Sequence, residues 1–372
     1  MIVNHSSPLL SNFVQPVRFD HFMQQALYHP VHGYYARGQQ VFGAEGDFVT
    51  APELTSLFGQ TLARGLMPLL DRCPPRIIEF GAGRGKLALD ILSVADERLT
   101  EYCIVEVSGG LKAVQQATLA ALPEHIRNKV RWLDQLPAQL EGIVLGNEVL
   151  DATPVRRFRW SPTGVEEAHV QTEGTQLAWH WLPADETLRR HANALQAEHG
   201  PWPAGYVSEW AEQSDALVRT LTDGLNGVVM QIDYGHHEAL YYSPHRTDGT
   251  LRATHRHVAH NDLLTNPGEQ DLTAHVNFSA AWRALEEAGG VLEGYVNQAG
   301  LLLGLGILDL AQQHPDLTDP VRGGTLRQGL NTLLSEADMG EQFKALVWSK
   351  GVDLDGTLLQ QVLIQHDRSG EL

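Results

Sequence analysis

From Arg76 onward, short apolar runs alternate with stretches whose apolar residues recur at helical spacing. The runs are RIIEF (76–80), YCIVEV (102–107), VRWLD (130–134) and GIVLGNEV (142–149); helical patterns over Leu87–Ala95 and Leu111–Leu122 separate the first three. Strands apolar on both faces, joined by helices, predict a parallel sheet covered on both sides. GVVMQIDYG (227–235) reads as a further buried strand. A helix over Ala280–Ala288 and strands near GVLEGYV and KALVWSK complete the pattern. The expected fold is α/β and Rossmann-like.

Two segments depart from this alternation. Phe19, Phe22, Met23, Ala26 and Leu27 share one helical face, with Pro30 just beyond it, and LTSLFGQTLARGLMPLL (54–70) reads as a second helix. Between them lies a Gly- and Tyr-rich loop too long to be a mere connector. Residues 1–70 are therefore expected to form a helical extension or lid. After Pro154, the stretch VRRFRWSPTGVEEAHVQTEGTQLAWHWLPAD alternates polar and apolar positions around turn residues, as antiparallel hairpins do. A β-rich insertion is expected over 155–224, leaving 71–154 and 225–372 as the main domain.

Composition narrows the options modestly. The 372 residues are 43% hydrophobic, enough for a large core, and carry a formal net charge of −18. That charge disfavours non-specific binding to nucleic acid or anionic membranes. Cys73 and Cys103 make neither a disulfide framework nor a thiolate zinc site. The sequence shows no secretory signal pattern, no Arg-rich presequence and no apolar run long enough to span a bilayer. A soluble, cytoplasmic protein is the expectation.

The first strand ends in Glu79-Phe80-Gly81-Ala82-Gly83-Arg84-Gly85-Lys86. A glycine-rich turn between a parallel strand and a helix lets a ligand approach the backbone. The triphosphate motif fails in register, and a dinucleotide motif would need a third glycine where Lys86 stands. An acid two residues before the first glycine suits a ligand that lacks phosphate and carries an ammonium group, as S-adenosyl-L-methionine does. Glu106, ending the second strand, is placed to accept both ribose hydroxyls, and Asp134, ending the third, to meet the adenine amino group.

Reactions on open parallel sheets occur at the C-terminal strand edge. There the sequence offers Asn147, Glu148 and Asp151 from GNEVLDATP, and Asp233 with Tyr234 from QIDYG. Several carboxylates suit a guanidinium acceptor, which they bind as a cation while one nitrogen stays free to attack. Glu148, Asp151 and Asp233 are the expected catalytic residues; helix capping and dipole compensation after the strand is the alternative for Glu148 and Asp151, and a strand-end turn for Asp233. THRHVAH (254–260) holds three histidines but no H-E-x-x-H pattern, and no metal site is expected.

GDFVTAPELTSLFGQTLA (46–63), EFGAGRGKLALDIL, GNEVLDATPVRRF, IDYG, residues 249–278 and MGEQFKALVWSKG (339–351) together resemble the MidA family of S-adenosylmethionine-dependent methyltransferases. The resemblance runs from about residue 15 to 351, in order. It implies a seven-strand class I methyltransferase sheet with an N-terminal helical extension and an insertion. It implies Gly81, Gly83 and Glu106 as cofactor contacts, and Thr50, Pro52 and Glu53 as a wall near the methyl group. Asn147, Glu148 and Asp151 match the catalytic-edge motif, Asn147 being assigned to the cofactor side. The family's mitochondrial member dimethylates an arginine and assists assembly of respiratory complex I, which makes an arginine-containing protein, such as a respiratory-complex subunit, the expected partner. A small-molecule methyltransferase, or a non-catalytic assembly factor that keeps the fold, are the alternatives.

Overall fold

The computed structural model of the chain describes residues 7–36 and 50–372. Residues 37–49 of the Gly- and Tyr-rich loop, with Gly46 to Val49 of the family motif, lie outside the described residues.

The N-terminal part holds β1 (Val17–Arg18), α1 (Phe19–Tyr28), the single turn α2 (Ala51–Leu54) and α3 (Leu57–Leu66). There follow β2 (Arg76–Phe80), α4 (Lys86–Val94), β3 (Glu101–Val105), α5 (Gly109–Leu119), α6 (Glu124–Arg127), β4 (Val130–Leu133) and β5 (Leu140–Asn147). After an excursion, α8 (Glu212–Asp223), β10 (Leu225–His236), α10 (Phe278–Glu287), β15 (Val291–Asn297) and β16 (Phe343–Lys350) complete the main body. Its strands run β4-β3-β2-β5-β10-β16-β15, with the two-residue β14 (Val276–Asn277) added beside β10. The first five are parallel; β16 is antiparallel to both its neighbours. This is a mixed α/β sheet of the class I methyltransferase type.

Alternation along each strand sorts the core into two layers. Ile77, Tyr102, Ile104, Ile143 and Leu145 face α3 and α4, while Ile78, Cys103, Val144, Val229 and Trp348 face α8 and α10. Each fully buried Ile, Leu or Val contributes about 1.5–3 kcal/mol. Because β2 pairs with β3 on one side and β5 on the other, the order reverses there and opens a crevice at the carboxyl ends of the strands.

The excursion consists of β6 (Arg156–Ser161), β7 (Gly164–Glu173), β8 (Gln176–Pro183), α7 (Glu186–His199) and β9 (Val207–Trp210). Its strands pair antiparallel and extend to β1 at the N-terminus. Within the stretch expected to insert, α8 packs Val218 and Leu221 on the central sheet, so the segment that leaves that sheet is 156–210. The first 70 residues likewise divide. The α1 side chains Phe19, Phe22, Met23 and Leu27 pack with Ala168 and Val170 of β7, whereas Leu57, Phe58 and Leu62 of α3 pack on the main core. A three-stranded sheet of β11 (Arg252–His255), β12 (Val258–His260) and β13 (Asp271–Thr273) lies against α1 through Ala253 and Leu272. It carries THRHVAH on its β11–β12 hairpin, where His255 Nδ1 lies 2.9 Å from the Glu269 carbonyl oxygen. Among the described residues, no helix is long and apolar enough to cross a membrane.

Candidate active site

A cavity of about 640 Å³ occupies the crevice, a size typical of cofactor pockets. One half is lined by Glu79, Gly81, Gly83, Lys86, Val105, Glu106, Val107 and Leu111. The other is lined by Tyr28, Tyr35, Thr50, Pro52, Glu53, Asn147, Glu148 and Ala152.

The glycine turn is dictated by its backbone. Gly81, Gly83 and Gly85 have φ of +71°, +51° and +80°, left-handed values that side chains disfavour. A Cβ on Gly81 would also lie 2.5 Å from Val149 Cγ2, so the turn must pack against the β5 loop as well as admit a ligand. Before it, Glu79 is buried, and its Oε2 accepts from the Tyr102 hydroxyl at 2.7 Å. Burial raises its pKa to about 7 despite that hydrogen bond. Lys86, where a nucleotide motif would aim a cation at phosphate, instead bonds both oxygens of Asp90 at 2.6 Å.

Glu106 follows β3. Its Oε1 accepts from the Ser108 backbone N–H at 2.8 Å, and its Oε2 from Gln115 Nε2 at 3.1 Å. Burial pushes its pKa up, and these bonds oppose the shift. Gln115 is itself buried on α5. The same Nε2 donates to the Gly83 carbonyl at 3.0 Å, and its Oε1 accepts from Trp132 Nε1 at 2.9 Å. One amide thus ties the glycine turn to the carboxylate. Neither Gln115 nor Ser108 was expected from sequence; the Ser108 side chain caps α5 through the Leu111 N–H at 3.3 Å. Asp134, expected at the adenine, does not line the cavity. It is exposed and ion-paired with Lys112, because β4 stops at Leu133 and leaves it outside the crevice.

On the opposite side β5 ends at Asn147, two residues short of the expected strand, because Glu148 takes a left-handed φ of +54°. A non-glycine residue in that region costs on the order of 1 kcal/mol and needs outside support. Asp233, three residues before the end of β10, supplies it. Its Oδ2 accepts the N–H groups of Val149, Leu150 and Asp151 at 3.1, 2.9 and 3.2 Å, and its Oδ1 that of Tyr234 at 2.9 Å. Asp233 is fully buried and does not line the cavity, so it holds the turn and is placed to act through it. The expectation that its carboxylate meets the acceptor is corrected by this geometry: the side chain is buried behind the turn and does not reach the cavity.

Glu148 Oε1 accepts from Asn147 Nδ2 at 3.0 Å and from the Ala51 N–H at 3.3 Å, the latter bringing α2 against the turn after β5. Burial, then the Asp151 carboxylate, raises Glu148 to about 8. Asp151 is buried behind it, hydrogen-bonded to Tyr234 and raised by burial to about 6. It stands close to Glu148 without lining the cavity. Unread in the sequence was Asp271 at the start of β13, a buried carboxylate whose Oδ1 accepts from the Tyr35 hydroxyl at 3.1 Å. The two halves of the cavity therefore differ in chemistry: a glycine turn flanked by Glu79 and Glu106 faces an acidic, tyrosine-lined side. A cationic ligand with a ribose and no phosphate fits the first half; a cationic acceptor fits the second.

The model of a family described as S-adenosyl-L-methionine-dependent methyltransferase matches residues 61–296. Among curated proteins, the mitochondrial protein arginine methyltransferase NDUFAF7 of Mus musculus is 29% identical over 91% of this chain and 84% of its own. The human protein of that name is 28% identical over 88% and 79%. A crystal structure of a Burkholderia thailandensis protein bound to S-adenosyl-homocysteine superposes with a TM-score of 0.88, at 38% identity, covering 99% of this chain and 95% of that one.

Proposed function

Since the chain belongs to this family of S-adenosyl-L-methionine-dependent methyltransferases, we propose that its acceptor is an arginine side chain of a protein. The observation that carries the reading is Glu148: a carboxylate lining the cavity beside the cofactor half, fixed by Asn147 and Ala51, with the buried acid Asp151 behind it. The names of the curated relatives support it.

S-adenosyl-L-methionine supplies a methyl group on a sulfonium centre, ready for in-line displacement. The residues of this chain do the rest. Glu79 offers a carboxylate to the ligand's ammonium, and Glu106 offers both oxygens to the ribose diol. Glu148 holds the guanidinium, which arrives as a cation because arginine stays protonated in proteins. Pairing draws charge toward the bound nitrogens and leaves another free to attack, the positioning that methyl transfer chiefly requires. Arrival of that cation favours the ionised form of Glu148, which then receives the proton released during transfer.

The test is tritiated methyl transfer from labelled cofactor into proteins of a strain lacking the gene, followed by hydrolysis and amino-acid analysis. Label in methylarginine that disappears with Glu148→Gln supports the reading; label in another residue, or only in small metabolites, overturns it. A purified respiratory-complex subunit is the first defined acceptor to assay, on the family resemblance.

A further inference from the structure

The acceptor half of the cavity contains two tyrosines that the reading above leaves without a role. The rings of Tyr28 and Tyr35 lie 5.3 Å apart at 34° and both line the cavity. Their hydroxyls are committed to protein acceptors: Tyr28 donates to the Ala152 carbonyl at 2.9 Å, Tyr35 to Asp271 Oδ1 at 3.1 Å. Burial, and next the Asp271 charge, pushes the Tyr35 pKa up, and both hydroxyls are held as donors, so neither serves as a base. What these residues offer a ligand is ring surface. A ring whose hydroxyl donates to a carboxylate is more electron-rich and attracts a cation more strongly over its face. Ala152 lies four residues beyond Glu148, so the hydroxyl bond of Tyr28 anchors its ring to the segment that carries Glu148.

We propose that Tyr28 and Tyr35 form a stacking wall that selects a planar guanidinium. The inference rests on the arginine reading of the same cavity. A guanidinium can lie flat against an aromatic face while its in-plane N–H groups bond a carboxylate at its edge. A lysine ammonium, compact and strongly hydrated, gains less from such a wall. The wall therefore determines which cation is accepted, and Glu148 holds it once it is there.

The experiment compares Tyr28→Leu, Tyr35→Leu, Tyr35→Phe and wild type in the tritium-transfer assay on proteins of the deletion strain, with S-adenosyl-homocysteine affinity measured calorimetrically for each. Tyr28 is 41% exposed, so its substitution spares the core. Cofactor affinity within about two-fold, methylarginine formation reduced roughly ten-fold by either leucine, and recovery of most of that rate with phenylalanine support the wall. Methylarginine formed at the wild-type rate by Tyr28→Leu or Tyr35→Leu overturns the wall and leaves the arginine reading standing. A phenylalanine variant as impaired as the leucine variant also overturns it, since the ring would then not be what matters. Wild-type label outside arginine, or no protein label at all, overturns the arginine reading and the wall with it.

Discussion

The amide nitrogen of Gln115 donates to Glu106 Oε2 at 3.1 Å while the same atom reaches the Gly83 carbonyl at 3.0 Å. The Glu106 carboxylate and the glycine turn are thereby set at a fixed separation by a helix that touches the cofactor half only near its N-terminus.

Gln115→Leu should therefore weaken S-adenosyl-homocysteine binding although Gln115 does not line the cavity. Losing a hydrogen bond to a charged partner costs about 1.5–3 kcal/mol, which is roughly ten- to a hundred-fold in dissociation constant. Titration calorimetry reads this directly. Unchanged affinity would mean that Glu106 and the turn hold their places unaided.

Glu106 and Asp134 make a matched pair for the same measurement. Glu106→Ala should weaken S-adenosyl-methionine and S-adenosyl-homocysteine alike by a comparable factor, since both carry the ribose. Asp134→Ala, on an exposed side chain outside the cavity, should leave both within about two-fold, as surface ion pairs contribute little.

Asp233 and Glu148 should separate in another way. Asp233→Asn puts an amide N–H against at least one of the four backbone donors now bonded to the carboxylate. A buried donor left unpaired costs about 1–3 kcal/mol, so urea denaturation should show a loss of that order, with turnover falling as the Glu148 turn loosens. Glu148→Gln should cut turnover by orders of magnitude with no loss of stability and near-normal cofactor affinity.

The pH dependence follows from the raised pKa of Glu148, about 8 against an ordinary value of 4.5. A carboxyl group raised on folding stabilises most below its unfolded pKa, and that contribution is lost as pH climbs through the folded value. Glu148→Gln should therefore raise the Tm by a few degrees at pH 8.5 and hardly at all at pH 5. Activity moves the opposite way. On the proposal that Glu148 meets a guanidinium in its ionised form, kcat/KM for the acceptor should rise with pH to a plateau, with a midpoint at or below 8 because the cationic cofactor favours ionisation. A profile flat between pH 6 and 8.5 would show that Glu148 does not titrate in this range.

The sheet was legible because its strands are buried on both faces and so stand out as apolar runs: RIIEF appears at its expected bounds, YCIVEV and GIVLGNEV displaced by one or two residues at their ends. The left-handed Glu148 was not, because the feature that sustains it, Asp233, lies 85 residues away. Gln115 escaped for a similar reason: a lone glutamine in a helix carries no pattern, and its partners come from β2, β3 and β4 ends brought together only by folding. Asp134 shows the reverse case: a strand-end position suggested a ligand partner, whereas the strand stops at Leu133 and the side chain is exposed and paired with Lys112. Helix α7 was readable in principle, with Leu188, Ala192 and Leu195 at helical spacing, but the hairpin alternation before it drew the whole stretch into one β-rich expectation.

The division of the N-terminal segment has a consequence for how such enzymes diversify. Tyr28 stands on a helix whose core is shared with β7, β11 and β13, while Glu79, Gly81, Gly83 and Glu106 stand on the central sheet. If the tyrosine wall chooses the acceptor, mutations that reshape the first body would change which side chain is welcomed while leaving the residues around the methyl donor in place, so one reagent could serve a changing clientele.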